Sequence, residues 1–470
     1  MVFSSPIFLT IFLPAVLAVT LVSPKSVRNS VLLAASVLFY FWGAALNTWV
    51  LLFVVLVSFF GARASEHRAL SALTVTAVLV PLLWFKYASF FSEVAKDLLS
   101  VGGFETSTLA PQELPVGISF FTFQALSYII DVRRGDAEPL DRADRHLLYI
   151  ALFPQLIAGP IVRYAEIRES LYDRVISIDG LAAGAIRFTH GLAKKVIIAD
   201  SVAPIADAAF AAGDSRTALT AWVGILAYTV QIYFDFSGYS DMAIGLGTMF
   251  GFSFPENFAR PYSASSITEF WRRWHITLSL WFRDYVYVPL GGSRSGNLMT
   301  YRNLGFVFLL TALWHGAAWT FLVWGGLHGL WLIVERSTGL SKATAFPMAR
   351  RALTLGIVML AWVFFRAPTI ADAADFVVDM FSPSNAGLHP GVATAATMPA
   401  VIALLIGLLS FLLPAHFTGG RWLAETVTNR DSSAQVKPIS TGLVYVVIAL
   451  PLSMALIATN DFSPFLYFQF

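Results

Sequence analysis

Apolar positions dominate the chain and arrive in blocks rather than as stripes along single helix faces. Near-continuous apolar runs recur over 7–22, 31–43, 48–60, 70–84, 114–130 and 147–161, and again over 186–211, 218–252, 304–334, 353–365, 399–413 and 442–457. A helix needs roughly 20 apolar residues to cross a bilayer. Some runs meet that length and several fall short. The 147–161 run ends in Ala158-Gly159-Pro160, which predicts a re-entrant or broken helix. Irregular backbone at membrane depth is tolerated only where protein or a water-filled cavity surrounds it. The pattern therefore predicts an all-α, polytopic integral membrane protein, with a funnel or recess in its helical bundle rather than a plain stack of spans.

Composition strengthens that class. Hydrophobic residues make up 57% of the chain and charged ones 13%, and the mean hydropathy is +0.69, far above soluble domains. The net charge of +2 says little about partners, but its placement gives an orientation. Lys25 and Arg28 follow the first run, Arg63 and Arg68 the third, and Arg133, Arg134, Arg142 and Arg145 the fifth. Under the positive-inside rule these loops share the cytoplasmic side, which puts the N-terminus outside. The first run lacks a basic flank before it and reads as an uncleaved span rather than a signal peptide. With no Gly-rich phosphate loop, repeat or low-complexity tract, the basic loops read as topology signals, not nucleic-acid sites.

The chain has no cysteine. That removes disulfides, thiolate metal sites and any acyl-cysteine intermediate, leaving histidine, carboxylate or hydroxyl chemistry. Of the eight histidines, His67, His146, His389 and His416 fall in loops or at segment ends and read as solvated, and His190 as interfacial. His275, His315 and His328 remain. The last two belong to WHGAAWTFLVWGGLHG, residues 314–329, which sets two histidines and three tryptophans in an apolar segment. Ionisable groups at bilayer depth are costly and mark pathways or reaction sites. For both, and most of all for His315 at the segment's edge, a place in a wet aromatic belt is the competing reading. No His-x-x-x-His helix or His/Glu cluster joins the three, so no metal is expected.

His275 lies in a stretch, 266–290, that reads as one amphipathic helix. Thr268, Arg272, His275, Ser279 and Arg283 recur at helical spacing on one face, and Phe270, Trp271, Trp274, Leu278, Trp281 and Tyr285 take the opposite side. Such a helix would lie at the cytoplasmic interface with aromatics down. Its arginines then either anchor to anionic headgroups or meet the phosphates of an acyl donor, with His275 pointing into the bundle. Upstream, Asp235 and Asp241 are six residues apart and do not form an acid/base dyad. They are expected to pair with arginine from the amphipathic helix. Gly238, Gly245 and Gly247 would let backbones pack closely.

SITEFWRRWHITLSLWFRDYVYVPLGG (266–292) followed by the 314–329 segment, with YFDFSGYSDMAIGLG (233–247) and FPQLIAGPIVRY (153–164) before them, resembles the membrane-bound O-acyltransferase family. The pattern is most similar to its bacterial alginate O-acetyltransferase branch, as is the ending FSPFLYFQF. The resemblance runs over nearly the whole chain. It implies one membrane domain over 1–470, with a catalytic core at about 114–335 and a ring of helices around a thin central region. His328 corresponds to the family's catalytic histidine, His275 to a second site, and His315 to the WHG of this branch. Arg272, Arg283, Ser279 and Trp274 form the expected donor-binding set. The resemblance further implies acetyl-CoA as cytosolic donor without a metal, a bacterial inner-membrane location among lipids, and periplasmic acceptor proteins with an SGNH-hydrolase-like fold. A thioester is already activated, so His328 would act as a base or take the acetyl group transiently, and His275 would orient the donor or stabilise the oxyanion. The resemblance makes alginate the expected final acceptor, with cellulose, peptidoglycan or another exopolysaccharide as alternatives. A transporter or flippase is the reading from a different class. The lack of an inverted repeat and the concentration of signal in residues 230–335 favour an enzyme.

Overall fold

The computed structural model describes residues 2–63, 67–104, 106–383, 387–413, 419–420, 422–423, 441–459 and 465–466. His416 and, apart from Phe465 and Leu466, the FSPFLYFQF ending lie outside the described residues. Among the described residues, regular structure is helical without a strand. Five segments are long and apolar enough to cross a membrane: Lys25–Arg63, Arg68–Val101, Ala218–Met249, Pro347–Arg366 and Thr441–Thr459. Shorter apolar helices cover Phe8–Val22 and Met398–Ser410. The chain is an all-α, multi-pass membrane protein. It divides into two compact units, Met1–Ile178 with Leu246–Pro255 and Asp179–Gly245 with Glu256–Phe470.

In the first unit the Thr48–Arg63 helix packs against Arg68–Val101 and Ile118–Arg134. The apolar 147–161 run is broken, as its Gly-Pro ending predicts. The Ala143–Ala151 helix stops at Leu152 and a four-residue helix, Phe153–Leu156, follows. Gly159 then lies so close to the preceding turn that a Cβ there would sit 2.7 Å from Gln155 Cα, so only glycine lets the chain fold back. His146 is not solvated as expected from its place at a segment end. It lies on the inward face of Ala143–Ala151, fully buried, with Nε2 2.8 Å from Ser58 Oγ and its ring 4.3 Å from that of Tyr128. The basic loops gather at one end of this unit. Arg63 donates to Leu140 O, Arg133 to Ser71 Oγ at 3.1 Å, and Arg145 pairs at 2.8 Å with Asp141, which also accepts from Tyr172.

In the second unit two long helices, Ile178–Ala193 and Ala218–Met249, cross at glycine. A Cβ on Gly238 would lie 2.7 Å from Gly191 O, and one on Gly245 2.6 Å from Gly184 O. This close approach aims the aspartates at the earlier helix and its π-helical continuation Lys194–Ala199, not at the arginines of 266–290. Asp241 pairs with Arg187 at 2.5 Å and Lys194 at 2.9 Å, and Asp235 with Lys195 at 2.7 Å. Charges taken out of water need such partners, and these stand one helix away. His190, half-buried on the same helix, reaches Tyr445 Oη at 3.3 Å beside this network. His67 is exposed, and the half-buried His389 caps the short Pro390–Ala395 helix by accepting from Gly391 N.

Candidate active site

The 314–329 segment is a helical hairpin in the second unit. Asn297–His315 turns at Gly316 into Trp319–Thr338. Small residues bring the two arms together: a Cβ on Gly325 would meet Ala312 Cβ at 2.6 Å and Phe308 O at 2.9 Å, and one on Gly329 would meet Phe308 Cβ at 3.1 Å. With glycine at 325 and 329, one turn apart, Trp324 and His328 are pressed into the protein beside that crossing.

His328 is fully buried among aromatic rings. Phe270 lies parallel to it at 5.9 Å, Trp271 and Trp324 stand edge-on at 5.2 and 5.3 Å, and Phe308 closes the remaining side at 6.4 Å. Its Nδ1 accepts a hydrogen bond from the indole Nε1 of Trp271 at 3.3 Å. Its Nε2 is buried with no hydrogen-bond partner among the described residues, and so is the indole nitrogen of Trp324. Buried polar atoms are rarely left unmatched, and such exceptions mark strain or chemistry.

His315 is buried as well, not part of a wet belt. Its Nδ1 donates to Thr311 O at 2.7 Å, and its ring lies 4.6 Å from Trp324. His275 is fully buried in left-handed backbone, φ +43°. Its Nδ1 lies 3.1 Å from Asn257 Oδ1, an oxygen that also accepts from Thr277 N and Oγ1. The three histidines are spaced by tryptophan: Trp314 touches His275 and His315, and Trp324 touches His315 and His328.

The 266–290 stretch is not one amphipathic helix. It breaks into Ile267–Trp271, a turn through His275, Ile276–Phe282 and a π-helical end, Arg283–Tyr287. The five polar residues therefore do not share a face. The rings of Phe270, Trp271, Trp274 and Trp281 are buried inside the protein rather than laid on an interface. Each such ring removes a large apolar area from solvent, which outweighs the few backbone hydrogen bonds lost at the break. Glu335 repairs the exposed end. Two turns beyond His328 on the same helix, its carboxylate accepts from Ile267 N at 2.6 Å, Thr268 N at 2.9 Å and Thr268 Oγ1 at 2.6 Å.

The break distributes the expected donor-binding residues. Arg272 and Thr268 line a recess of about 430 Å³ with Tyr287, Tyr301, Arg336 and Lys342. Leu332, one turn from His328, forms part of its wall. Ser279 lines a separate cavity of about 100 Å³ with Trp271 and Phe308, the ring neighbours of His328. Trp274 lies in the aromatic core, stacked at 5.6 Å on Phe270. Arg283 is 56% exposed and pairs with its neighbour Asp284. Arg336, Lys342, Asn257, Glu335 and Trp271 were not singled out by sequence reasoning as part of a site. Of these, Glu335 carried a usable signal, since seven residues on a helix return to the same face.

Among the described residues no group of three His, Asp or Glu side chains has the arrangement of a metal site. A buried imidazole on the Trp319–Thr338 helix, one turn from the wall of a basic recess, sits in a multi-pass membrane protein. The chain belongs to the membrane-bound O-acyltransferase family, whose sequence pattern it matches over residues 143–370. It is 40% identical to the probable alginate O-acetylase AlgI of Azotobacter vinelandii over the full length of both chains. It is 44% identical to the probable alginate O-acetylase AlgI of Pseudomonas aeruginosa over 81% of this chain and 75% of that one. Against the peptidoglycan O-acetyltransferase of Helicobacter pylori the identity is 35%, over 83% of this chain and 81% of that one. The protein is a membrane O-acyltransferase, and these relatives support O-acetyl transfer as its activity.

Proposed function

We propose that the protein takes acetyl from cytoplasmic acetyl-CoA and passes it across the bacterial inner membrane for O-acetylation of an extracellular polysaccharide, alginate before peptidoglycan or cellulose. The observation that carries the reading is His328, buried in an aromatic cage with Nε2 unmatched by any group among the described residues. An ionisable side chain buried among apolar rings in a membrane protein is a reaction-site candidate by default. The recess with Arg272, Arg336 and Lys342 supports a phosphate-bearing donor, because guanidinium and ammonium groups recognise phosphate oxygens. Alginate stands first because full-length identity is to alginate O-acetylases. The acceptor on the far face is a periplasmic protein with an SGNH-hydrolase-like fold.

The test uses the full chain in sealed vesicles with acetyl-CoA inside and an acceptor protein outside. Alone, the protein should release CoA slowly, since water is a poor substitute for a positioned hydroxyl. The acceptor should accelerate release, and acetyl should appear outside while CoA stays inside. His328→Ala should lower transfer by about 100- to 10,000-fold at normal abundance. Intact CoA crossing the bilayer, or unimpaired transfer by His328→Ala, would overturn the proposal.

A further inference from the structure

A second charged cavity of the second unit, about 240 Å³, takes no part in the site described above. Three cations, Arg187, Lys194 and Arg260, line it together with two carboxylates, Asp241 and Glu256. Arg187 donates to Asp241 and to both oxygens of Glu256, and Lys194 donates to Asp241 at 2.9 Å. Arg260 donates to a backbone oxygen, Ser410 O, at 2.7 Å. Three cations against two carboxylates leave one positive charge in excess, and a charge out of water needs a partner.

Local geometry holds these groups around the cavity. The helix Ile178–Ala193 passes into the π-helical Lys194–Ala199. Consecutive lysines there go to different aspartates, Lys194 to Asp241 and Lys195 to Asp235. Turns of that kind recur at functional sites. Arg260 sits in left-handed backbone, φ +49°, which a non-glycine residue keeps only where its surroundings impose it. Ser240 also lines the cavity, 2% exposed, and its Oγ is buried with no hydrogen-bond partner among the described residues. Buried hydroxyls are rarely left unmatched, so this one points to a guest. The edge of the cavity is apolar. Leu413 lines it just past the apolar helix Met398–Ser410, and Leu409 and Leu412 are exposed beside it. Exposed leucines on a membrane helix meet acyl chains, which are as apolar as they are.

We propose that this cavity binds the headgroup of an anionic, polyol-headed phospholipid of the phosphatidylglycerol type. Its phosphodiester carries one negative charge, which matches the excess, and Lys194 and Arg260 supply charge-assisted bonds to its oxygens. Its glycerol hydroxyls donate to the half-buried carboxylate of Glu256 and pair with Ser240 Oγ. The acyl chains leave past Leu413. A choline or ethanolamine headgroup would instead add a cation where positive charge is already in excess. Glu256 and Phe258 line the cavity, and Asn257 between them holds His275 Nδ1 at 3.1 Å. A bound lipid therefore steadies the loop that positions His275.

The full chain, purified in detergent and stripped of lipid, is titrated with dioctanoyl phosphatidylglycerol. The ethanolamine and choline lipids of the same chain length and inorganic phosphate are run in parallel. Native mass spectrometry counts bound lipid, and the unfolding temperature reports a ligand of the folded state. Phosphatidylglycerol should bind as a single copy, about tenfold or more tighter than either zwitterionic lipid, and should raise the unfolding temperature. Phosphate alone should not. Lys194→Gln should weaken binding by about 10- to 100-fold. Ser240→Ala removes a hydroxyl with no partner among the described residues. It should keep the lipid-free unfolding temperature and weaken binding by about 3- to 10-fold. Equal binding of the three lipids, stabilisation by phosphate alone, or wild-type affinity in Ser240→Ala overturns the inference. The Ser240→Ala comparison decides even if Lys194→Gln fails to accumulate. None of these readouts involves acetyl transfer, so failure of the lipid site and failure of the transfer reading are told apart.

Discussion

At the scale of single residues, a shared recess rather than burial separates the cations that can serve a donor from those that cannot, since Arg272, Arg336, Lys342 and Arg283 are all exposed. Arg272 shares its recess with Arg336 and Lys342, whereas Arg283 is mostly in water and paired with Asp284. If the recess takes the phosphates of acetyl-CoA, Arg272→Gln and Lys342→Gln should each raise KM for acetyl-CoA with little change in kcat, the pattern of lost uniform binding. Arg283→Gln should leave both constants unchanged. Steady-state kinetics on protein of matched abundance checks the contrast, and an unchanged KM in Arg272→Gln would retire the phosphate assignment. Residue type in an apolar setting was enough to select His328, His275 and His315 from the sequence. Their partners were not legible, because Trp271 and His328 stand 57 residues apart and Asn257 meets His275 only after the backbone turns left-handed. No periodicity encodes either meeting.

At the scale of elements, the hairpin depends on glycine where its arms touch. A side chain at Gly325 must enter space held by Ala312 and the backbone of Phe308. Overpacking of that kind costs about 1–3 kcal/mol, so Gly325→Leu should lower the unfolding temperature in detergent and reduce activity through displacement of His328. Gly326, which has nothing within 4 Å of its would-be Cβ, is the matched control, and Gly326→Leu should behave much closer to wild type. Equal behaviour of the two variants would remove the crossing from the account. Apolar runs and the Gly-Pro ending of 147–161 announced helices and a break correctly, since length and chain stiffness are local properties. The 266–290 stretch misled because amphipathic spacing persists across it while the backbone turns at His275. Burial of its tryptophans in the protein decides that turn, and a spacing rule does not see which surface the rings will meet.

At the scale of the whole molecule, sidedness decides whether the donor and the charge pattern agree. In the first unit, Arg63, Arg133 and Arg145 are drawn to one end by bonds to Leu140, Ser71 and Asp141. The helix pairs between them are therefore out-and-back, as the spacing of basic loops requires. Short loops rich in Lys and Arg stay in the cytoplasm during insertion. The recess of the second unit carries Arg272, Arg336 and Lys342, the same sign of charge, and a cytosolic donor needs it to open to the same compartment. Reporter fusions after Arg68, Arg145 and Lys342 should therefore all report cytoplasm, and one at Gly103, the far end of the Arg68–Val101 helix, the opposite side. A periplasmic signal after Arg145 would reverse the first unit. A periplasmic signal after Lys342 would place the basic recess away from the cytosolic acetyl-CoA pool, and His328 would then have to receive acetyl from a different donor.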